Sequence, residues 1–191
     1  MNRYLISVLF ILVVLLASGS YFFVNFWEHR YDEVISRQAR IFNIDAALVW
    51  SIVYEETYFR TTSLGADGEI GLMQVTAPVA RDWAKETGLA TFERQVNDDL
   101  TQFLQNPERN VQIGCWYYQK VRSTYRGMPA ETAMSLAAYN AGPSRVEEWT
   151  AGTDISNLNE SDFVSRIGID STRSYVTSIL NRYRSTTLEI K

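Results

Sequence analysis

DAALVWSIVYEETYF, Asp45–Phe59, is the stretch from which the rest of the chain can be read. Its apolar residues recur at helical spacing, and Asp45 stands where an N-cap carboxylate would accept a backbone N–H. At about 100° per residue, Glu56 falls inside the arc made by Val49, Ile52 and Val53, while Glu55 falls at its edge beside Ser51. Glu56 is thus the inward glutamate and Glu55 the solvated one. An ionised carboxylate buried without a partner is costly and responds with a raised pKa. A carboxylic acid kept protonated near neutrality is what glycosidic cleavage requires, because the leaving oxygen must take a proton. On periodicity alone, a helix-end carboxylate reaching water is the commoner outcome.

Composition narrows the chemistry. Apolar residues make up 46% of the 191-residue chain, which excludes a disordered polypeptide and allows one domain with a real core. A formal net charge of −4 disfavours a nucleic-acid partner, since that binding rests on clustered Lys and Arg. Cys115 is the single cysteine, so an internal disulfide and a thiolate zinc cluster are excluded. His29 is the single histidine and lies beside the N-terminal apolar run, badly placed for a Ser-His or Cys-His pair. Catalysis falls to carboxylates, Tyr, Lys or Ser, and no metal or cofactor is implied.

LISVLFILVVLLASGSYFFV, Leu5–Val24, carries no charge over about twenty residues, enough to cross a bilayer as one helix. Arg3 precedes it and EHRYDE, Glu28–Glu33, follows with more acid than base, so the positive-inside bias puts the N-terminus in the cytoplasm. A cleaved signal peptide is the competing reading, with Leu5–Leu16 as its apolar region and Ala17–Gly19 as its cleavage site. YFFVNFW, Tyr21–Trp27, extends the apolar run past that site and favours an uncleaved anchor. Residues 1–27 are therefore expected to form a membrane anchor or signal peptide, and residues 28–191 a single exported domain. No Cys lies near the segment to carry a lipid.

The remainder reads as all-α. Helices are predicted over 28–42 (open to being continuous with the anchor), from Asp45 to Glu56, Pro78 to Glu86, Pro107 to Tyr125, Glu131 to Ala141, Pro143 to Trp149 and Thr172 to Tyr183. TSLGADGEIG, Thr62–Gly71, is a loop, with three glycines and an Asp-Gly step. Gly142 suits the C′ position after Ala141, and Pro143 cannot continue that helix. Two further stretches carry polar chemistry beside turns. GEIGLMQV, Gly68–Val75, offers close backbone approach at Gly71 and an amide at Gln74. AAYNAGP, Ala137–Pro143, ends a helix with a phenol and an amide. Either alone reads equally well as a turn with core residues.

Together these stretches resemble the lytic transglycosylases, which have the goose-type lysozyme-like fold (glycoside hydrolase family 23). The family pattern is Glu-Ser-x-aromatic, then Gly-Leu-Met-Gln, then Ala-Ala-Tyr-Asn-Ala-Gly-Pro. Here it reads ETYF at Glu56–Phe59, GLMQ at Gly71–Gln74 and AAYNAGP at Ala137–Pro143, in order and at similar spacing. NPERNVQIGCWYY, from Asn106, is similar to the family's Asn-containing helix, with Asn110 at the Asn position. The resemblance covers about residues 40–185 and implies a lysozyme-like helical domain behind one transmembrane helix. It implies Glu56 as catalytic acid and base, with Gln74, Tyr139 and Asn140, together with Met73 and Thr57, lining the glycan cleft. It implies cleavage of the β-1,4 bond between N-acetylmuramic acid and N-acetylglucosamine in peptidoglycan, leaving 1,6-anhydro-muramoyl ends.

The expected setting is a single-pass cytoplasmic-membrane protein with its domain facing the periplasm or cell exterior, any link to cell-wall or secretion machinery being left open. The chain departs from the pattern at Thr57 and Gly65, where Ser is usual, at Thr76 and Pro78, and at STRSYV, Ser171–Val176, where Ser171 stands for a Glu in Glu-Thr-x-x-Tyr-Val. A lysozyme-type hydrolase, with Glu69 or Asp67 as second carboxylate, and a non-catalytic glycan-binding scaffold are the alternatives. Tyr58 and Phe59 are expected to add apolar surroundings to Glu56.

Overall fold

The computed structural model describes residues 3–88 and 90–189. The amino terminus, on which the orientation expectation partly rests, lies outside them. The N-terminal half contains α1 (Arg3–His29), α2 (Asp32–Ile41), α3 (Ala46–Thr57), α4 (Ala77–Thr87), α5 (Ala90–Asp98) and α6 (Leu100–Gln105). The C-terminal half contains α7 (Pro107–Tyr125), α8 (Glu131–Ala141), α9 (Pro143–Thr150), α10 (Glu160–Arg166) and α11 (Asp170–Glu189). Among the described residues no strand forms. Two isolated antiparallel bridges, Leu64–Ile70 and Ile70–Val75, fold the 62–71 loop onto the turn that follows it.

Two surfaces of α3 organise the domain. One packs on α2 and the other on α11, while α7 takes α2, α4, α6 and α8 around itself, and α8 also packs on α11. Val49, Ile52 and Val53 of α3 meet Leu72, Met73, Ile113, Leu136 and Ile179 in one buried core. Removing such side chains from water is the dominant favourable contribution to folding, roughly 1.5–3 kcal/mol for each Val, Leu or Ile fully buried. The helices start on polar caps. Asp45 accepts from Ala47 N at 2.9 Å, Asn106 from Arg109 N at 3.0 Å and Asn159 from Asp162 N at 2.9 Å. Each satisfies a backbone donor that the first helical turn leaves open.

The apolar helix stands apart. From Ser7 to Phe26 every residue is exposed, and burial begins at Trp27, which packs against the core. Trp27, counted with the anchor by sequence, thus touches the domain. The continuity considered for anchor and second helix is interrupted at Arg30 and Tyr31, where α1 ends and α2 restarts. Helices α5, α6 and α10 were not predicted. They run nine, six and seven residues, too short for a periodic apolar stripe to stand out.

Candidate active site

Glu56 lies in the last turn of α3 and is only partly exposed. The phenol of Tyr175, from α11, donates to its Oε1 at 2.7 Å. Burial, opposed by that hydrogen bond and supported by the negative charges of Glu69 and Glu55, raises its pKa from 4.5 to about 7. The carboxyl is therefore substantially protonated at neutral pH and can give or take a proton there. Burial also pushes Tyr175 and Tyr139 well above the ordinary phenol value, and the Glu56 charge adds to both shifts, so the two phenols stay protonated donors.

The GLMQ turn is held from three sides, by α7, α8 and the Thr57 that follows Glu56. Asn110, fully buried on α7, accepts from Met73 N at 2.7 Å and donates to the carbonyls of Ile70 at 2.7 Å and Leu104 at 2.8 Å. Gly71 has φ +78°, and a Cβ there would collide with the Asn110 amide and approach the Leu104 carbonyl to 2.6 Å. Tyr139, from α8, donates to the Met73 carbonyl at 2.6 Å, and Thr57 donates to the Leu72 carbonyl at 3.1 Å. These fixed bonds tie α3, α7 and α8 to one turn. They leave Gln74, at φ +47°, partly exposed with its amide nitrogen 2.9 Å from the Gly71 carbonyl.

Residues 33–161 match the family described as the transglycosylase SLT domain. The chain belongs to that family. The soluble lytic murein transglycosylase of Salmonella typhimurium is 27% identical over 161 residues, 81% of this chain and 23% of that protein. The membrane-bound lytic murein transglycosylase F of Hahella chejuensis is 26% identical over 138 residues, 71% of this chain and 24% of that protein. This SLT domain chain thus spans less than a quarter of the length of those relatives. The solved structure of an inactive mutant of lytic transglycosylase Slt from Pseudomonas aeruginosa superposes with a TM-score of 0.70 at 26% identity, over 82% of this chain and 24% of that one. The 70 kDa soluble lytic transglycosylase of Escherichia coli superposes with a TM-score of 0.68 at 26% identity, again over 82% of this chain and 24% of that one. The fold is the lysozyme-like helical one of SLT domains.

Within this SLT domain the expected site residues separate. Tyr139 is near enough to feel the Glu56 charge and bonds the Met73 carbonyl, next to Gln74 in the GLMQ turn. Asn140 is exposed, and Thr172 of α11 donates to its Oδ1 at 2.7 Å. Met73 and Thr57 do not line an open cleft with their side chains. Met73 is fully buried because Gly114 lets its sulfur lie on α7 (a Cβ there would come within 2.5 Å of it), and the Thr57 hydroxyl is buried on the Leu72 and Val53 carbonyls. Both are supports of the turn. Glu55 is not freely solvated either. Its carboxylate lies 3.7 Å from Arg182 Nη2, and both side chains are largely covered. The rings of Tyr58 and Phe59 join an aromatic cluster with Tyr54 and Trp50, at centroid distances of 4.9 Å from Tyr58 to Tyr54 and 5.2 Å from Phe59 to Trp50.

The residue that sequence reasoning missed is Tyr175. Its signal was present as the Thr172 and Tyr175 of STRSYV, behind a replaced first position. There, Ser171 is exposed, and Asp170 pairs with Arg173 at 3.0 Å instead of substituting for the usual Glu. At Gly65 the missing side chain has a local reason. A Cβ would collide with Glu69 Oε2 and sit 2.9 Å from Gln74 Oε1, so Glu69 occupies the space where the family's Ser would project.

Proposed function

We propose that the chain is a membrane-anchored lytic transglycosylase of peptidoglycan, with Glu56 as its acid and base. The observation that carries the reading is a carboxyl whose pKa burial raises to about 7, sitting where the family motif places its glutamate. Protonated Glu56 gives its proton to the glycosidic oxygen as the bond to C1 of N-acetylmuramic acid breaks. The resulting carboxylate takes the proton of the same sugar's C6 hydroxyl, whose oxygen closes on C1. The 1,6-anhydro ring forms, Glu56 is again protonated and no water is consumed. One protein carboxylate suffices because the nucleophile is intramolecular and already positioned. The partly exposed Gln74 and the exposed Asn140 present amides to the glycan, and Tyr139 and Tyr175 keep fixed phenols beside the acid. Residues 1–27 serve as the anchor through α1, which is long and apolar enough to cross a membrane, and residues 28–191 form the exported domain. Its setting is the cytoplasmic membrane, with the domain on the periplasmic or outer side.

A lysozyme-type hydrolase keeps one supporting observation. Glu69 is near enough for its charge to raise the Glu56 pKa, and its Oε2 accepts from Asp67 N at 3.0 Å. Digestion of purified sacculi by the full chain in oxygen-18 water separates the two. The proposal expects unlabelled muropeptides one water lighter than reducing ends. Labelled reducing ends would overturn it in favour of hydrolysis.

A further inference from the structure

The turn that ends α3 uses backbone that ordinary residues avoid. Tyr58 and Phe59 have φ of +49° and +61°, two successive left-handed residues without a glycine between them. Such residues persist only where their surroundings over-determine them. The groups that do so come from the last turn of the apolar helix α1 and the residue just after it. Trp27 Nε1 donates to the Tyr58 carbonyl at 2.8 Å, and the Arg30 guanidinium donates to the Phe59 carbonyl. The Tyr58 hydroxyl donates back to Glu28 Oε1 at 3.1 Å, and Trp50 Nε1 of α3 donates to the Glu28 carbonyl at 3.2 Å. The Arg30 guanidinium carbon lies 3.5 Å from the Trp27 ring centroid and 4.8 Å from that of Tyr31, so the two clamping side chains also hold each other. Glu56 is two residues before Tyr58, in the turn that these bonds close.

We propose that Trp27 and Arg30 are positioning residues, which clamp the Tyr58–Phe59 turn and through it hold the Glu56 side chain in the cleft. The membrane-proximal segment is then part of the active-site scaffold and not a linker. This rests on the reading of Glu56 as the acid and adds what holds it. Without the clamp the last turn of α3 relaxes and Glu56 gains water. The other groups that act on Glu56 are Tyr175 from α11, Tyr139 from α8, Glu55 on α3 itself and Glu69 from the loop, and none of them is touched by Trp27 or Arg30 in the bonds described. Burial is the largest cause of the raised Glu56 pKa, so its loss moves that pKa down. The general acid must be protonated, so the alkaline limb of the rate moves to lower pH.

The test uses the full chain in detergent micelles with purified sacculi. The clamp predicts that Trp27→Phe and Arg30→Gln lower kcat about tenfold with KM within about twofold. It predicts that the alkaline limb moves acidward and that Arg30→Lys, which keeps a cationic donor, recovers most of the loss. A kcat loss that follows the melting temperature with the limb unmoved overturns it, as does unchanged turnover in both variants. A carbon-13 titration of Glu56 in the same proteins is independent of turnover. A lower midpoint in Trp27→Phe supports the clamp even if Glu56→Gln proves harmless and the reading of Glu56 as acid fails. An unchanged midpoint overturns the clamp while leaving that reading intact.

Discussion

Glu55 and Glu56 are adjacent in sequence, yet α11 treats them oppositely. It presents Arg182 to Glu55 at 3.7 Å, with the same guanidinium 3.5 Å over the Tyr54 ring. Two turns earlier it presents to Glu56 the phenol of Tyr175. Around Glu55 a carboxylate is compensated by a cation. Around Glu56 the charged groups that act on it, Glu69 and Glu55, are themselves negative, and burial dominates. Two identical side chains thus acquire different chemistry from which face of one helix they occupy. Burial without a cation makes a proton donor, whereas partial burial with a cation makes an ion pair.

The sharpest way to break this comparison is to neutralise each carboxyl in turn. Glu56→Gln is expected to lower turnover on sacculi by a factor of about 10²–10⁴, the usual contribution of a positioned acid or base. Glu55→Gln is expected to stay within about threefold, since it removes only half of a partly covered pair. Equal losses would erase the distinction. The next largest effect is on stability against pH. The folded pKa of Glu56, about 7, lies above its ordinary 4.5, so the folded state binds the extra proton and wild-type stability falls as pH rises between those values. Glu56→Gln does not titrate. It should therefore gain roughly 1–3 kcal/mol on the wild type between pH 4 and pH 8 in denaturant titrations. A constant difference across that range contradicts the buried acid.

Smaller effects sharpen the partners. Tyr175→Phe removes the bond that lowers the Glu56 pKa, so the alkaline limb of the rate should move to higher pH while kcat falls about tenfold through lost orientation. An unmoved limb would mean that the phenol does not act on the carboxyl. Arg182→Gln should destabilise the fold by about 0.5–1.5 kcal/mol and Glu55→Gln by less, because only the arginine also loses its seat on the Tyr54 ring. Thermal melts in low and high salt separate the two contributions.

Much of this was legible in the sequence, for reasons that differ by element. The cap Asp45, the stop at Gly142 and Pro143, and the long α7 carry their signals locally, and the predicted bounds of α3, α7 and α8 fall within a residue of those observed. The inward glutamate followed from periodicity because the fully buried Val49, Ile52 and Val53 of α3 recur at helical spacing. Tyr175 and Arg182 could not be assigned to Glu56 and Glu55 that way, since they approach from more than a hundred residues away. The burial of Met73 was also hidden. It depends on Gly114 leaving room on α7, a fit between two distant residues. The attachment of Trp27 and Arg30 to the Tyr58–Phe59 turn depends on left-handed backbone at two aromatic residues, which propensity argues against.

Direct titration of Glu56 addresses the central claim without any assumption about substrate. In the full chain with carbon-13-labelled glutamate, the resonance assigned by its loss in Glu56→Gln should titrate with a midpoint of about 7. A midpoint near the ordinary value of 4.5 would mean that Glu56 is ionised at neutral pH and is not the acid proposed here.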